Sequence, residues 1–172
     1  MRVDRSFAFV DLCGFTRFTD AHGDEEAVGV VTRFRTVVRE IASEHAVRVD
    51  KWLGDGAMFV STDDRRLLNA LLELMGRVDN TEVALPLRAG ASKGPVILLE
   101  GDDYVGGAVN LAARLCSAAD PGELLATSPL VDAVPSWADV IQVGALAVPG
   151  FVQRIDVVRV EGALRAPAAS VG

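Results

Sequence analysis

The stretch that most constrains the fold of this chain is residues 51–56, with the sequence KWLGDG. It lies between two short, mainly apolar runs at 46–49 and 57–60. A Gly-Asp-Gly between such runs predicts a tight β-hairpin, because glycine adopts the backbone angles that the turn requires. The hexapeptide alone is also typical of an ordinary solvated turn. This hairpin, however, carries Lys51 and Asp55 four positions apart, which suggests a use beyond turning the chain.

A second stretch, residues 9–16 with the sequence FVDLCGFT, strengthens that interpretation. Residues 6–12 contain a continuous apolar run that is typical of a central, buried strand. Asp11 stands at its end, where a carboxylate is costly unless it is paired, hydrogen-bonded or bound to a metal. The glycine-containing turn that follows can offer successive backbone N–H groups to an anion.

Composition limits the class of protein. The 172 residues suggest one domain, and half of them are hydrophobic, which allows a substantial core. The net charge of −7 repels nucleic acid and anionic membrane surfaces, so we expect neither as a partner. Cys13 and Cys116 are not a disulfide framework. No apolar run approaches the ~18 residues that cross a bilayer, and no signal peptide is evident, so we expect a cytoplasmic protein.

Apolar residues at helical spacing predict helices on both sides of the hairpin. The first begins at the acidic stretch 24–26, which suits the positive end of a helix dipole. The second begins at Asp63 and Asp64, which are favourable capping residues. A strand is then predicted at 84–91.

The predicted strand at 84–91 carries Arg88, which taken alone is typical of an exposed strand residue. Gly94 and Pro95 predict an interruption, with residues 96–99 as a separate partner strand.

After the glycine-rich loop 101–107, a helix is predicted from about 108 to 118. It places Asn110 and Arg114 one turn apart on the same face, although Asn110 could simply cap the helix. The remaining predicted elements are a strand at 123–126, a short helix beginning at 128, and a closing strand pair at 140–148 and 151–160. Residues 162–172 are expected to be a disordered tail or a linker stub.

This order of elements predicts an α+β fold. We expect a mixed, mainly antiparallel sheet with helices packed against one face, containing a ferredoxin-like core in an α/β sandwich.

Four motifs in this order resemble the catalytic domain of the class III nucleotide cyclases, most closely a bacterial adenylate cyclase. The motifs are residues 9–16, residues 51–56, residues 87–90 with 94–96, and Asp103 followed by residues 109–114. The resemblance implies the class III cyclase fold over a catalytic domain of residues 1–161.

The resemblance implies a site for two divalent cations, Mg²⁺ or Mn²⁺. Asp11 and Asp55 match the two metal-binding aspartates of the family, and the carbonyl of Leu12 matches a backbone ligand. Oxygen donors of this kind are those that these ions prefer.

Phosphate binding is implied for the turn after the first strand and for one arginine. The amides of residues 13–16, which include Gly14, Phe15 and Thr16, would hold phosphate oxygens. Arg88 matches a family arginine that binds the triphosphate.

The resemblance also implies how the nucleotide base is read. Lys51 would donate to N1 of adenine and Asp103 would accept from its N6 amine, whereas guanine presents the opposite pattern at these atoms, so the pair selects ATP. Asp102 could take this role instead, because the loop looks shorter than in many relatives. Asn110 matches the residue that orients the ribose, and Arg114 the one that stabilises charge on the α-phosphate.

The implied activity is conversion of ATP to 3′,5′-cyclic AMP and pyrophosphate, with composite sites in a head-to-tail homodimer. One alternative is a cyclase-like nucleotide-binding or regulatory domain with little turnover. Another is a guanylate cyclase, against which Lys51 argues.

Overall fold

The computed structural model describes residues 1–80 and 85–162, excluding the side chains of residues 79 and 80. The elements within these residues are β1 (Arg2–Leu12), α1 (Phe15–His22), α2 (Asp24–Glu44), β2 (Arg48–Leu53), β3 (Gly56–Ser61), α3 (Asp64–Asn80), β4 (Leu87–Leu98), β5 (Tyr104–Val105), α4 (Gly107–Ala118), β6 (Leu124–Thr127), a 3-10 helix (Ser128–Ala133), β7 (Ala138–Leu146) and β8 (Ile155–Gly162).

The eight strands of the described residues join in one sheet with β1 near its centre. The order is β2-β3-β1-β4-β6-β8-β7, with β5 paired to one end of β4. All pairs are antiparallel except β4 with β6. Asp11 on β1 lies opposite Gly56 on β3 and opposite Arg88 on β4. The sheet therefore brings three of the motifs to one place, and the predicted mainly antiparallel sheet is confirmed.

Helices cover both faces of the sheet, so the expectation of helices on one face was wrong. Ala8 and Val10 of β1 belong to a large core cluster with residues of α2 and α3. Phe7, which points to the opposite face, packs in a second cluster with Ala108 and Ala112 of α4. The residues of β1 that face either side of the sheet are apolar, as expected for a strand that is covered on both faces.

The position of α4 depends on a glycine in β4. A Cβ built on Gly90 would lie 2.2 Å from the backbone N of Cys116 and 2.5 Å from the carbonyl O of Ala112. Only a residue without a side chain lets the helix approach the strand so closely. The hydroxyl of Ser92 donates to the carbonyl O of Ala108, one strand repeat further on. These contacts fix the height and rotation of α4 over the sheet.

Local signals explain most of the helix boundaries. Oδ1 of Asp63 accepts from the backbone N–H groups of Arg65 and Arg66, at 3.0 and 3.2 Å, so Asp63 caps α3 as predicted. The first turn of α2 is acidic, and its inner face is buried. Helix α1 was not predicted, because its eight residues are too few to repeat an apolar pattern over several turns, and none of them is fully buried.

Strand β4 corrects one predicted interruption. It continues through Gly94 and Pro95, and Pro95 lies opposite Asp4 in the register with β1. The predicted partner strand 96–99 was wrong, since residues 96–98 belong to β4, and the short strand paired with them is Tyr104–Val105. The length of β1 explains the difference, because it gives β4 a partner along its whole extent.

Two further predictions extend beyond the described residues. The predicted strand at 84–91 begins at Leu87 in the structure, and residue 84 lies outside the described part. Gly162 is the last residue of β8, and residues 163–172 of the predicted tail lie outside it as well. Within 1–80 and 85–162, no helix combines the length and apolar character needed to cross a membrane.

Candidate active site

Asp11 and Arg88 form a two-pronged ion pair across β1 and β4. Nε of Arg88 donates to Oδ1 of Asp11 at 2.6 Å, and Nη2 donates to Oδ2 at 3.1 Å. Nη1 of Arg88 also donates to the carbonyl O of Ser117 at 3.0 Å, which links the pair to the end of α4. The hydrogen bond with Asp11 raises the pKa of Arg88 above its usual value. The guanidinium of Arg88 therefore occupies the carboxylate of Asp11, the first predicted metal ligand.

Asp55 lies beside Asp11 at the turn between β2 and β3. Gly54 before it has φ +64°, the left-handed conformation that the predicted hairpin turn required. The N–H of Leu12 donates to the carbonyl O of Asp55 at 3.1 Å, which ties the turn to β1. Burial raises the pKa of the Asp55 carboxyl, and the nearby charge of Asp11 raises it further. Two carboxylates thus share a partly buried place where a positive charge is favourable.

The donor set fits a hard divalent cation. Asp11 and Asp55 offer carboxylate oxygens, and the carbonyl of Leu12 adds a third oxygen of the kind that Mg²⁺ and Mn²⁺ prefer. Gly56 keeps the hairpin close to this place, because a Cβ there would lie 2.6 Å from the carbonyl O of Val10 and 3.1 Å from Cβ of Asp11. The close approach of the two carboxylates therefore depends on a glycine.

The turn after β1 presents a helix N-terminus next to the carboxylates. Cys13 N–H donates to the carbonyl O of Pro86 at 2.8 Å, and Gly14 has φ +73°. Phe15 and Thr16 open α1, and the N–H groups of a first helical turn have no partner within the helix. Such a terminus favours anions. Gly14, Phe15 and Thr16 thus lie where a phosphate could meet backbone donors.

Lys51 and Asp103 meet on the same face of the sheet as Asp11. Nζ of Lys51 donates to Oδ1 of Asp103 at 2.5 Å, and both side chains are about half exposed. The hydrogen bond lowers the pKa of Asp103 and raises that of Lys51. Lys51 lies opposite Met58, which packs on the α4 side.

Asp102, the alternative to Asp103, has φ +60°. Its carboxylate lies 3.8 Å from Nη2 of Arg48 and forms no contact with Lys51.

Asn110 and Arg114 project from α4 without a side-chain partner among the described residues of their own chain. Both are exposed, and within the described residues neither side chain forms a hydrogen bond or ion pair. The backbone N–H of Asn110 donates to the carbonyl O of Gly106, so Asn110 lies inside the first turn and is not the cap. The structure brings Asp11, Asp55 and Arg88 together and joins Lys51 to Asp103, but it shows no contact between these groups and the pair on α4.

Comparisons with known proteins show which proteins the chain resembles. No family model matched the chain. An uncharacterized protein of Mycobacterium tuberculosis is 37% identical over 149 residues, which are 87% of this chain and 39% of the relative. A pH-sensitive adenylate cyclase of the same species is 32% identical over 127 residues, 74% of this chain and 32% of the relative. The chain thus spans about a third of the length of these relatives.

Solved structures match almost the whole chain. The adenylyl cyclase CyaB from P. aeruginosa has a TM-score of 0.80 and 23% identity, over 96% of this chain and 97% of that one. The guanylate cyclase domain of RhGC from Catenaria anguillulae, in complex with GTP, has a TM-score of 0.84 and 18% identity, over 94% and 98%. The chain has the fold of a class III nucleotide cyclase catalytic domain. The resemblance seen in the sequence motifs is confirmed.

Within this cyclase fold, one feature near the site was not predicted from the sequence. Helix α2 braces the hairpin through Arg35, whose Nη2 donates to the carbonyl O of Gly54 at 3.1 Å. The guanidinium groups of Arg35 and Arg39 lie over the ring of Trp52, at 5.1 and 5.0 Å from its centroid. Arginines spaced by four on a helix were the available signal, but they are equally typical of a solvated face.

The two cysteines of the cyclase fold are held as thiols. Burial raises the pKa of Cys116 to about 12, and burial also raises the pKa of Cys13. Sγ of Cys116 donates to the carbonyl O of Arg88 at 3.7 Å. Cys116 is buried and Cys13 is only partly buried. A buried cysteine packs as a small apolar side chain.

Proposed function

We propose that residues 1–161 are the catalytic domain of an adenylate cyclase, which converts ATP to 3′,5′-cyclic AMP and pyrophosphate. The observation that carries the proposal is the Lys51–Asp103 pair, because it offers one donor and one acceptor side by side. Adenine presents an acceptor at N1 and a donor at N6. The pair lies on the face of the sheet that also carries Asp11 and Arg88.

Asp11, Asp55 and the carbonyl of Leu12 would hold two divalent cations, Mg²⁺ or Mn²⁺. When bound, such ions lower the pKa of the ribose 3′-hydroxyl and neutralise charge on the triphosphate. Asp55 supports this assignment, because burial and Asp11 together raise the pKa of its carboxyl and so favour binding of a cation.

Arg88 binds the triphosphate by exchanging partners. Its guanidinium holds the Asp11 carboxylate through two hydrogen bonds, a geometry that matches phosphate oxygens equally well. Transfer of Arg88 to a phosphate leaves the Asp11 carboxylate available. The N–H groups at Gly14, Phe15 and Thr16 then hold the phosphate oxygens that Arg88 does not reach.

The functional unit is a head-to-tail homodimer with composite sites. Asn110 and Arg114 support this, since both are exposed and have no partner within the described part of their own chain. From the second copy, Asn110 orients the ribose, and Arg114 stabilises the charge that develops on the α-phosphate. No side-chain general base is required once the 3′-hydroxyl is activated.

The test is a turnover assay with purified protein, in which ATP or GTP is supplied with Mn²⁺ or Mg²⁺ at several protein concentrations. We expect cyclic AMP as the main product, and a specific activity that falls on dilution because the dimer dissociates. Asp55→Ala is the inactive control. A larger yield of cyclic GMP would assign the chain as a guanylate cyclase. Nucleotide binding without product at any concentration would assign a binding domain.

A further inference from the structure

A cluster of three metal-ligating side chains lies away from the candidate active site, where α2 ends. Glu44 is the last residue of α2, His45 follows it, and Glu73 lies on α3. Nε2 of His45 contacts Oε2 of Glu73 directly. One ligand atom from each of the three residues lies within 4.8 Å of the other two. The cluster therefore joins two helices through one nitrogen donor and two oxygen donors.

The groups around this cluster carry more negative than positive charge, because three glutamates lie around one arginine. One turn away, Nη2 of Arg77 donates to Oε2 of Glu40 at 2.7 Å, so the neighbouring arginine is already paired. Glu40 is the main cause of the raised pKa of Arg77, with smaller contributions from Glu44 and Glu73. Among the described residues, Glu44 has no hydrogen bond or ion pair of its own. Two carboxylates thus lie near one imidazole, and of the two only Glu73 contacts it.

The backbone around His45 is held in place. Its N–H donates to the carbonyl O of Ile41 at 3.0 Å, which caps the helix. Ala46 then takes φ +52°, and the N–H of Val47 returns to the carbonyl O of Ala42 at 2.9 Å. The side chain of His45 is 23% exposed and that of Glu73 is 37% exposed. Backbone hydrogen bonds therefore hold the chain at His45, while the side chains of His45 and Glu73 remain accessible to solvent.

We propose that Glu44, His45 and Glu73 bind one Zn²⁺ ion or a similar transition-metal cation, with water as the fourth ligand. Zinc accepts imidazole nitrogen together with carboxylate oxygen in tetrahedral sites that keep a water. Bond lengths of about 2.0–2.1 Å place neighbouring ligand atoms of such a site roughly 3.4 Å apart. Rotation of the three side chains brings their ligand atoms from the present spacing to this distance. The ion then takes the place of the direct contact between His45 and Glu73.

The ligand set separates this site from the candidate active site. Mg²⁺ is bound through oxygen, and a histidine nitrogen favours zinc and its neighbours in the transition series. The bound ion tethers the end of α2 to α3, just before β2 begins at Arg48. An ion that binds the folded chain alone stabilises it by mass action. The inference does not depend on the cyclase activity.

The experiment measures Zn²⁺ binding by calorimetry and by thermal unfolding, using protein stripped with a chelator. An Asp55→Asn background removes a ligand of the candidate active site. The chain contains two histidines, so His22→Ala is a matched control. His22 lies 3.2 Å from Glu26 in an exposed pair. We expect one Zn²⁺ per chain and a higher melting temperature, both unchanged by His22→Ala.

His45→Ala and Glu73→Gln should each weaken Zn²⁺ binding by roughly tenfold or more and abolish the thermal shift, as loss of a ligand requires. Glu44 is exposed and forms no hydrogen bond or ion pair within residues 1–80 and 85–162, so Glu44→Gln provides a variant that keeps the fold. The proposal is overturned if His45→Ala binds Zn²⁺ as tightly as His22→Ala, if Glu44→Gln has no effect on binding, or if the Asp55→Asn background binds no Zn²⁺ at all. These outcomes would leave the cluster as a His–Glu ion pair.

Discussion

Arg88 holds the carboxylate of Asp11 through two parallel hydrogen bonds, from Nε at 2.6 Å and from Nη2 at 3.1 Å. The two residues lie directly opposite each other on β1 and β4. The side chains are about a third exposed, so substrate can reach both. In the proposed cyclase, this pair couples phosphate binding to metal binding. A phosphate that binds Arg88 releases the carboxylate of Asp11 for a metal ion, and a metal ion on Asp11 releases Arg88 for a phosphate.

The first prediction concerns that pair. Arg88→Met should lower kcat/KM for ATP by roughly 100-fold or more, since it removes a charged ligand of the triphosphate. It should also lower the free energy of unfolding by about 1–2 kcal/mol through loss of the charged hydrogen bonds. Arg88→Lys should be intermediate, because lysine cannot form the two-pronged contact. Arg77→Met removes a surface pair with Glu40 and serves as the control. Normal kinetics for Arg88→Met would reject the role.

The second prediction concerns pH and Asp55. Its raised pKa means that the folded chain holds this proton more tightly than the unfolded chain does. Ionised Asp55 therefore costs stability near neutral pH, and the cost vanishes as the pH falls below the ordinary value of about 3.9. Asp55→Asn should raise the melting temperature at neutral pH in chelator, with the gain shrinking toward acid.

Mn²⁺ supplies the complementary measurement for Asp55. It should raise the melting temperature of the wild-type protein more than that of Asp55→Asn, because the ion binds the ionised carboxylate. Asp20→Asn, at an exposed position, is the control. Equal Mn²⁺ shifts in wild type and Asp55→Asn would contradict the metal assignment.

The third prediction concerns base selection. Lys51→Glu combined with Asp103→Cys should sharply lower ATP turnover and shift the remaining activity toward GTP, since the donor and acceptor positions are changed. The comparison is the ratio of cyclic AMP to cyclic GMP formed from equal ATP and GTP. Asp102→Ala should leave the ratio unchanged, because Asp102 lies 3.8 Å from Arg48 and does not contact Lys51. An unchanged ratio in the double variant would mean that the pair does not read the base.

The fourth prediction concerns the dimer. Asp11→Ala lacks a metal ligand but retains Asn110 and Arg114, whereas Arg114→Ala lacks the α-phosphate cation but retains Asp11 and Asp55. Each should be inactive and folded. Random pairing in a mixture makes about half of the dimers heterodimers, each with one intact site, so about a quarter of the wild-type sites should work. Cyclic AMP formation by the mixture checks this. No recovery despite demonstrated subunit exchange would rule out composite sites.

The fifth prediction concerns the seating of α4. Gly90→Ala should cost about 1–3 kcal/mol of unfolding free energy, because the added Cβ meets backbone atoms of α4 that cannot rotate away. It should also reduce turnover, since α4 carries Asn110 and Arg114. Gly29→Ala on α2 meets only the end of the Arg33 side chain, at 3.7 Å, and should be neutral or stabilising. Chemical denaturation of both variants measures the difference, and equal stability would contradict the packing argument.

The sequence by itself determined the local elements whose cause lies within a few residues. The hairpin at Gly54 follows from backbone angles that glycine adopts easily, and Asp63 capped α3 as its side chain allows. Asn110 and Arg114 share one face of α4 because their spacing matches a helical turn. The apolar run before Asp11 likewise predicted its position at the end of a buried strand.

Tertiary structure alone decided how these pieces meet. Strand β4 runs through Gly94 and Pro95 because β1 offers it partners beyond that point, a long-range effect that outweighs a local turn signal. Helix α4 lies on the face opposite α2 and α3 because Gly90 admits its backbone there. The pairing of Arg88 with Asp11, 77 residues apart in the chain, depends on strand register, which local sequence does not encode.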